Sequence, residues 1–384
     1  MPVVKKTLVL AVSGALALTA LTACSSSKSS GGSGSGSAPA AAGSSGSSGS
    51  SGGSGTPKDV KHVSLMVGGI DKQIYLPYKL ADQLGFYKKY GVDVTLTTEQ
   101  DGGVGAEEAM ISGQVDMAGA WYNHTIEFQM KHKAVESIVQ LSGAPGEREM
   151  CATASNVHAG ADYAGKTMGV TDLGSGTDTL TQLIAAKAGV AKDKYNRTGV
   201  GAGSTAIAAL KKGAISCVMT TQPTVTAIQK QNLGYSAVDL ATVDGATKAL
   251  GGAWPAAGVL ARTDWVNSHK DETQRVVNAL VDTMHWINTH SPQEIADALP
   301  PQYTNNAIIT KADYVAALTQ DKGQFLPDGV MPAGGPKIVL DTEKLVGQAD
   351  DSVKLGDTFT NEFAMNANKS EGYTVSTTPA DSNG

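Results

Sequence analysis

Cysteine is scarce in this 384-residue chain, which has three, Cys24, Cys151 and Cys217. That is too few for a disulfide framework or a four-thiolate zinc site. The histidines are scattered, and none has the H-E-x-x-H spacing that sets two imidazoles on one helical face. Basic excess is missing too: 30 Lys and Arg stand against 36 Asp and Glu, so no cationic surface argues for nucleic acid. No hydrophobic run beyond the first two dozen residues is long enough to span a membrane. A hydrolase elbow is absent around Ser175, where Leu173 and Thr177 stand at the positions that G-x-S-x-G gives to glycine. The expectation is a binder of small molecules, with no catalytic residue, cofactor or metal.

What is present begins at the N-terminus. Lys5 and Lys6 precede an uncharged, mostly apolar run from Thr7 to Ala20, then Leu21-Thr22-Ala23-Cys24. The run is shorter than the roughly 20 residues of a membrane helix and reads as an export signal over residues 1–23. Its last four residues resemble the lipobox of bacterial lipoproteins, which implies lipidation of Cys24, cleavage before it and an extracytoplasmic protein held at the cell membrane. From Ser25 to Thr56 the chain is almost entirely Ser, Gly and Ala, a composition that buries too little apolar surface to offset its ordering entropy. Residues 24–58 are therefore expected to be a flexible tether.

Beyond the tether, strand and helix patterns alternate. Strands are expected at 63–67, 92–97, 115–120, 137–141, 166–171, 198–200, 215–220 and 259–261. Helices are expected at 75–87, 105–112, 177–188, 271–289, 292–299, 311–318 and 341–348. Alternation of this kind points to largely parallel sheets. The end from Asn366 is polar and expected to fray. One unit occurs twice: a helix, Gly113, a strand and Trp121-Tyr122-Asn123-His124 match a helix, Gly213, a strand and Thr221-Gln222-Pro223, which suggests two similar lobes. Cys151 and Cys217 fit either a disulfide or two buried free thiols, and their apolar surroundings favour the thiols.

Three stretches resemble the nitrate, sulfonate, taurine and thiamine-precursor group of periplasmic binding proteins. Leu80 to Val94, with Gly85-Phe86-Tyr87, is similar to that family's helix, "G-F/Y-F" turn and strand. Gly113-Gln114-Val115-Asp116 is similar to its "G-x-x-D" turn, and Asp162 to Val170 before Gly174-Ser175-Gly176-Thr177 to its "D-L-x-G-K-x-x-G-V" strand and helix start. Two positions depart: Ser216 stands where the second unit would carry its acid, and Tyr163 where leucine is usual. The resemblance implies an α/β, two-lobed periplasmic-binding-protein type II-like fold hinged around a central ligand cleft. Lobe 1 would comprise 59–150 and 256–365, lobe 2 151–255, and a flexible tail 366–384. It further implies a monomeric solute-binding component of an ABC importer with a membrane permease as partner. A ligand-sensing lipoprotein shares these features, and an enzyme of the thiamine-pyrimidine branch shares the fold.

Ligands of open α/β sheets sit at strand carboxyl ends, which nominates four groups. Lys72, Gln73 and Tyr75 follow the first strand and offer a cation, an amide and a ring. Trp121, Tyr122, Asn123 and His124 suit a planar organic solute. Ser175, Gly176 and Thr177 open a helix whose free N–H groups suit an acidic group. Thr220, Thr221 and Gln222 form the equivalent turn of the second unit. Gly160 to Thr167 matches the Walker A expression, but Lys166 to Val170 reads as a strand, whereas a phosphate loop must open a helix.

Overall fold

The computed structural model describes residues 59–99 and 103–381. The expected signal segment 1–23, Cys24 and the tether 24–58 lie outside the described residues. The chain builds β1 (Lys61–Val67), α1 (Leu76–Gln83), α2 (Phe86–Lys89), β2 (Val92–Thr98), α3 (Val104–Ser112), β3 (Met117–Trp121), α4 (Asn123–Met130) and β4 (Val135–Gln140). It then crosses to β5 (Glu147–Ala152), β6 (Thr167–Val170), α5 (Gly176–Lys187), β7 (Asn196–Gly199), α6 (Ser204–Lys211), β8 (Cys217–Thr221), α7 (Thr224–Lys230), β9 (Gly234–Leu240) and α8 (Val243–Leu250). It returns through β10 (Ala257–Arg262) into α9 (Thr263–Ser268), α10 (Lys270–Thr289), α11 (Pro292–Ala298), α12 (Pro301–Thr304), α13 (Lys311–Asp321), α14 (Gly335–Val346) and α15 (Glu362–Glu371).

These strands form two five-stranded sheets with the same wiring, β2-β1-β3-β10-β4 and β7-β6-β8-β5-β9. In each, four strands run parallel and one is reversed: β10 is antiparallel to β3 and β4, and β5 to β8 and β9. β5 follows directly from β4, and β10 follows β9 after α8, so the chain crosses between the lobes at two short connectors, 141–146 and 251–256. They run side by side, with Leu141 N and Ser142 N both donating to Ala257 O and Ala257 N donating to Ser142 Oγ. This is the α/β two-lobed fold that the resemblance implied. β5 begins at Glu147, so the second sheet starts ahead of the expected boundary at 151.

Burial follows the patterns that specify the elements. β1 alternates, burying Val63, Leu65 and Val67; β3 and β8 are buried throughout because helices cover both faces of a parallel sheet interior. The single helix read over 75–87 is two, since Gly85 adopts φ +73°, a left-handed conformation that ends α1 and starts α2.

Two expectations are corrected. Cys151 and Cys217 are disulfide-bonded: they stand directly opposite on β5 and β8, Cα atoms 3.9 Å apart, a register that residues 66 apart in sequence do not disclose. The end does not fray from Asn366. α15 carries on through it, and the Asp328 carboxylate accepts the N–H groups of Ser376 and Thr377 at 2.9 and 2.8 Å. Gly160–Tyr163 is a 3-10 turn leading to strand β6, so the Walker A match opens no helix.

Candidate functional site

Because parallel strands release their loops at one edge of each sheet, the segments after β1 and β3 face those after β6 and β8. Two points join them. Gln73 N donates to Gln222 O at 3.0 Å. The Trp121 ring packs against Gly176, where any Cβ would overlap it. The lobes are thus closed on one another, and all thirteen nominated residues are buried.

Their side chains do not all turn the same way. Trp121, the last residue of β3, reaches the second lobe and meets Trp254 edge to face at 5.7 Å. Tyr122, one position on, turns to the other side of the strand end. Its ring packs on Phe359 and its hydroxyl bonds Thr358 Oγ1 at 2.7 Å, so it joins the lobe 1 core instead of the cleft. Tyr75 lies buried, with the Trp121 indole and the carboxyls of Glu107, Glu147 and Glu99 acting on its hydroxyl; burial and those acids push its pKa well up. Lys72 Nζ donates to Gly68 O at 2.8 Å, and Gln73 Nε2 to Tyr314 O at 3.2 Å.

The start of α5 is not an open seat for an anion. Ser175 Oγ and Thr177 Oγ1 engage Thr171 Oγ1 and each other, and Thr177 Oγ1 accepts from Thr171 N at 2.9 Å. The first turn holds its own acid, Asp178, which accepts from Gly174 N at 3.0 Å and pairs with Arg197. With Trp121 over Gly176, the helix dipole already faces a carboxylate and a ring. In the second unit Thr221 Oγ1 donates to Gly146 O at 2.6 Å, and Gln222 Oε1 accepts from Thr226 N and Thr226 Oγ1, capping α7.

Buried acids stand beside cations around the closed contact. His124 Nδ1 lies 3.6 Å from Glu107 Oε2 and 3.5 Å from Glu127 Oε1. Burial would lower the His124 pKa, but Glu107 and Glu127 overcome it and carry it up to about 9. Burial pushes Glu107 up to about 8 against the pull of His124. Glu147, where β5 leaves the connector, is likewise pushed up to about 8 by burial, with Lys72 and Arg148 opposing. Arg148 is itself held by Asp321 at 2.7 and 2.8 Å and by Asp239 at 3.0 Å, tying β5 to the end of α13. Glu107, Glu147 and Trp254 were not read from the sequence: Glu107 lies within α3, Glu147 opens a reversed strand and Trp254 precedes one, positions that the strand-end rule does not mark. Two openings flank the closed contact: one of about 720 Å³ beside Asp71, Lys72 and Gly201–Thr205, and one of about 450 Å³ over Glu107, His124, Leu173 and Gly174. Among the described residues no helix is long and apolar enough to cross a membrane.

Comparisons with known proteins agree with this architecture. A protein from Bordetella bronchiseptica RB50 is 29% identical with a TM-score of 0.76, over 81% of this chain and 98% of that one. The periplasmic nitrate-binding protein NrtA from Synechocystis PCC 6803 shares the fold at 14% identity and a TM-score of 0.66, covering 81% and 89%. The alkanesulfonate-binding protein SsuA from Xanthomonas axonopodis pv. citri does so at 15% and 0.60, covering 79% and 99%. The fold also carries an enzyme, the desulfurization enzyme DSZB, at 15% identity and a TM-score of 0.55. The search of curated proteins found no sequence match. The family model described as NMT1/THI5 like matches residues 74–295, more than half of the sequence, and the chain belongs to that family.

Proposed function

We propose that this chain is the extracytoplasmic solute-binding component of an ABC importer, anchored through a lipid on Cys24, which captures a small organic solute between its lobes and presents the closed form to a membrane permease. The observation that carries this is the pair of identically wired lobes, linked by two adjacent chain crossings and touching through their strand-end loops. Such a body closes by a small change at the connectors, and a solute contacting both lobes shifts it toward the closed state. Contacts are assigned to Lys72, Gln73, Tyr75, Trp121, Asn123, His124, Thr220 and the acids between them. Nitrate and alkanesulfonate binding by structural neighbours supports the class of role.

An enzymatic reading finds less support. Cys151 and Cys217 are joined in a disulfide, and Ser175 has Thr171 and Thr177, not an imidazole, at its hydroxyl. The test is capture from the native membrane with the full-length protein, in the presence and absence of cell extract. Recovery of a permease, strengthened by the extract's small-molecule fraction, is expected; recovery of a receptor kinase instead would favour ligand sensing.

A further inference from the structure

Side-chain oxygens buried without a hydrogen-bond partner occur on the strand-end loops and the elements beside them: Gln73 Oε1, Glu107 Oε1, Asn123 Oδ1, Glu147 Oε2, Gln324 Oε1 and Thr220 Oγ1. All but the Thr220 hydroxyl belong to carboxyl or carboxamide groups, whose oxygens accept once the carboxyls are ionised. Buried polar atoms are almost always partnered, so the five carboxyl and carboxamide oxygens call for a donor. Two of them belong to acids that act on Tyr75. Its hydroxyl senses Glu107 from lobe 1 and Glu147 from β5. At Gly146, next to Glu147, the Gln324 carboxamide and Ile74 crowd the same point.

The donors nearby are already engaged. Lys72 holds Gly68 O, Arg148 holds Asp321 and Asp239, Gln73 Nε2 holds Tyr314 O, and Asn123 Nδ2 holds Glu127 Oε1 at 3.0 Å. The hydroxyls of α5 face each other, and its first turn holds Asp178. An oxyanion entering here meets carboxyls, whereas a cation bearing N–H groups satisfies the orphan carboxyl and carboxamide oxygens.

Building on the solute-binding reading, we propose that the cleft takes a small organic cation with N–H donors on a planar apolar body, an amidinium, guanidinium or arylammonium, and discriminates against oxyanions. This replaces the acidic group that the α5 helix start suggested. Glu107 faces His124, Glu127, Lys131 and Glu99, and Glu147 faces Lys72 and Arg148. Burial outweighs those cations and favours the protonated forms, so a bound cation expels protons and its affinity rises from pH 6 to pH 8.5; an anion follows the opposite course.

The experiment is titration calorimetry of the full-length protein with benzamidine, benzoate and benzenesulfonate, one ring with opposite charges, extended by agmatine and nitrate. At least one cation is expected to bind at least about tenfold tighter than any anion, and Glu147→Gln to weaken it by about tenfold or more. If that variant does not fold, Glu107→Gln and the rise of affinity with pH take its place. An anion bound more tightly than both cations overturns the ligand class and leaves the transport reading intact. Silence toward all five probes at millimolar concentration also overturns the class, and permease capture then decides the transport reading separately.

Discussion

Replacing Gly176 by alanine isolates lobe closure from lobe stability. Gly176 is the first residue of α5, and its φ is not left-handed, so alanine fits the backbone and by itself stabilises the helix by up to about 1 kcal/mol. In the closed protein, however, the added methyl falls inside the Trp121 ring. Trp121 has little room to yield, with Trp254 edge-on at 5.7 Å and Tyr75 beside it. Overpacking of this kind costs about 1–3 kcal/mol, and the cost falls on the closed state alone. The closed population relative to the open one should therefore drop by roughly 5- to 150-fold. Small-angle scattering of wild type and variant side by side should show a larger radius of gyration for Gly176→Ala, while thermal unfolding is unchanged or slightly raised. A variant that scatters like wild type and is merely more stable would refute the Trp121–Gly176 contact as the element that closes the cleft.

Three further outcomes follow from the same structure. The disulfide closes a loop of 66 residues, which corresponds to about 4 kcal/mol of denatured-state entropy, so Cys151→Ser with Cys217→Ser, or reduction, should lower the urea midpoint accordingly; an unchanged midpoint would show that the bond is not formed. Burial holds Glu149 up to about 8, above its unfolded value, so the folded state keeps a proton that the unfolded state loses. Stability should then fall as pH rises from about 4.5 to 8, and Glu149→Gln should flatten that fall by on the order of 3 kcal/mol, as measured by denaturant melts across pH. Truncation after Tyr373 removes two N–H donors from the buried Asp328 carboxylate and should cost about 1–3 kcal/mol, visible as a lower Tm; an unaltered Tm would mean the tail is not docked.

Much of the scaffold is legible along the chain, because helix and strand periodicities and the glycines that end helices are local signals. The repeated unit around Gly113 and Gly213 anticipates two sheets with one wiring, and the three family-like stretches fall on α1–β2, the turn into β3, and β6–α5. The site is only partly legible. The strand-end rule finds Lys72, Trp121 and Gly176 because parallel strands deliver their carboxyl ends to the cleft. It passes over Glu147 and Trp254, because a reversed strand delivers its amino end there.

Sequence by itself determined the α/β alternation, the duplicated unit and the residue types available at each loop, since these depend on neighbours a few positions apart. Only the tertiary structure decided that Cys151 faces Cys217, that Tyr122 turns into the lobe core while Trp121 spans the cleft, and that the start of α5 is filled by Asp178 and a ring. Each of those depends on strand register and on the approach of two lobes, which join residues far apart in the chain and leave no local pattern to read.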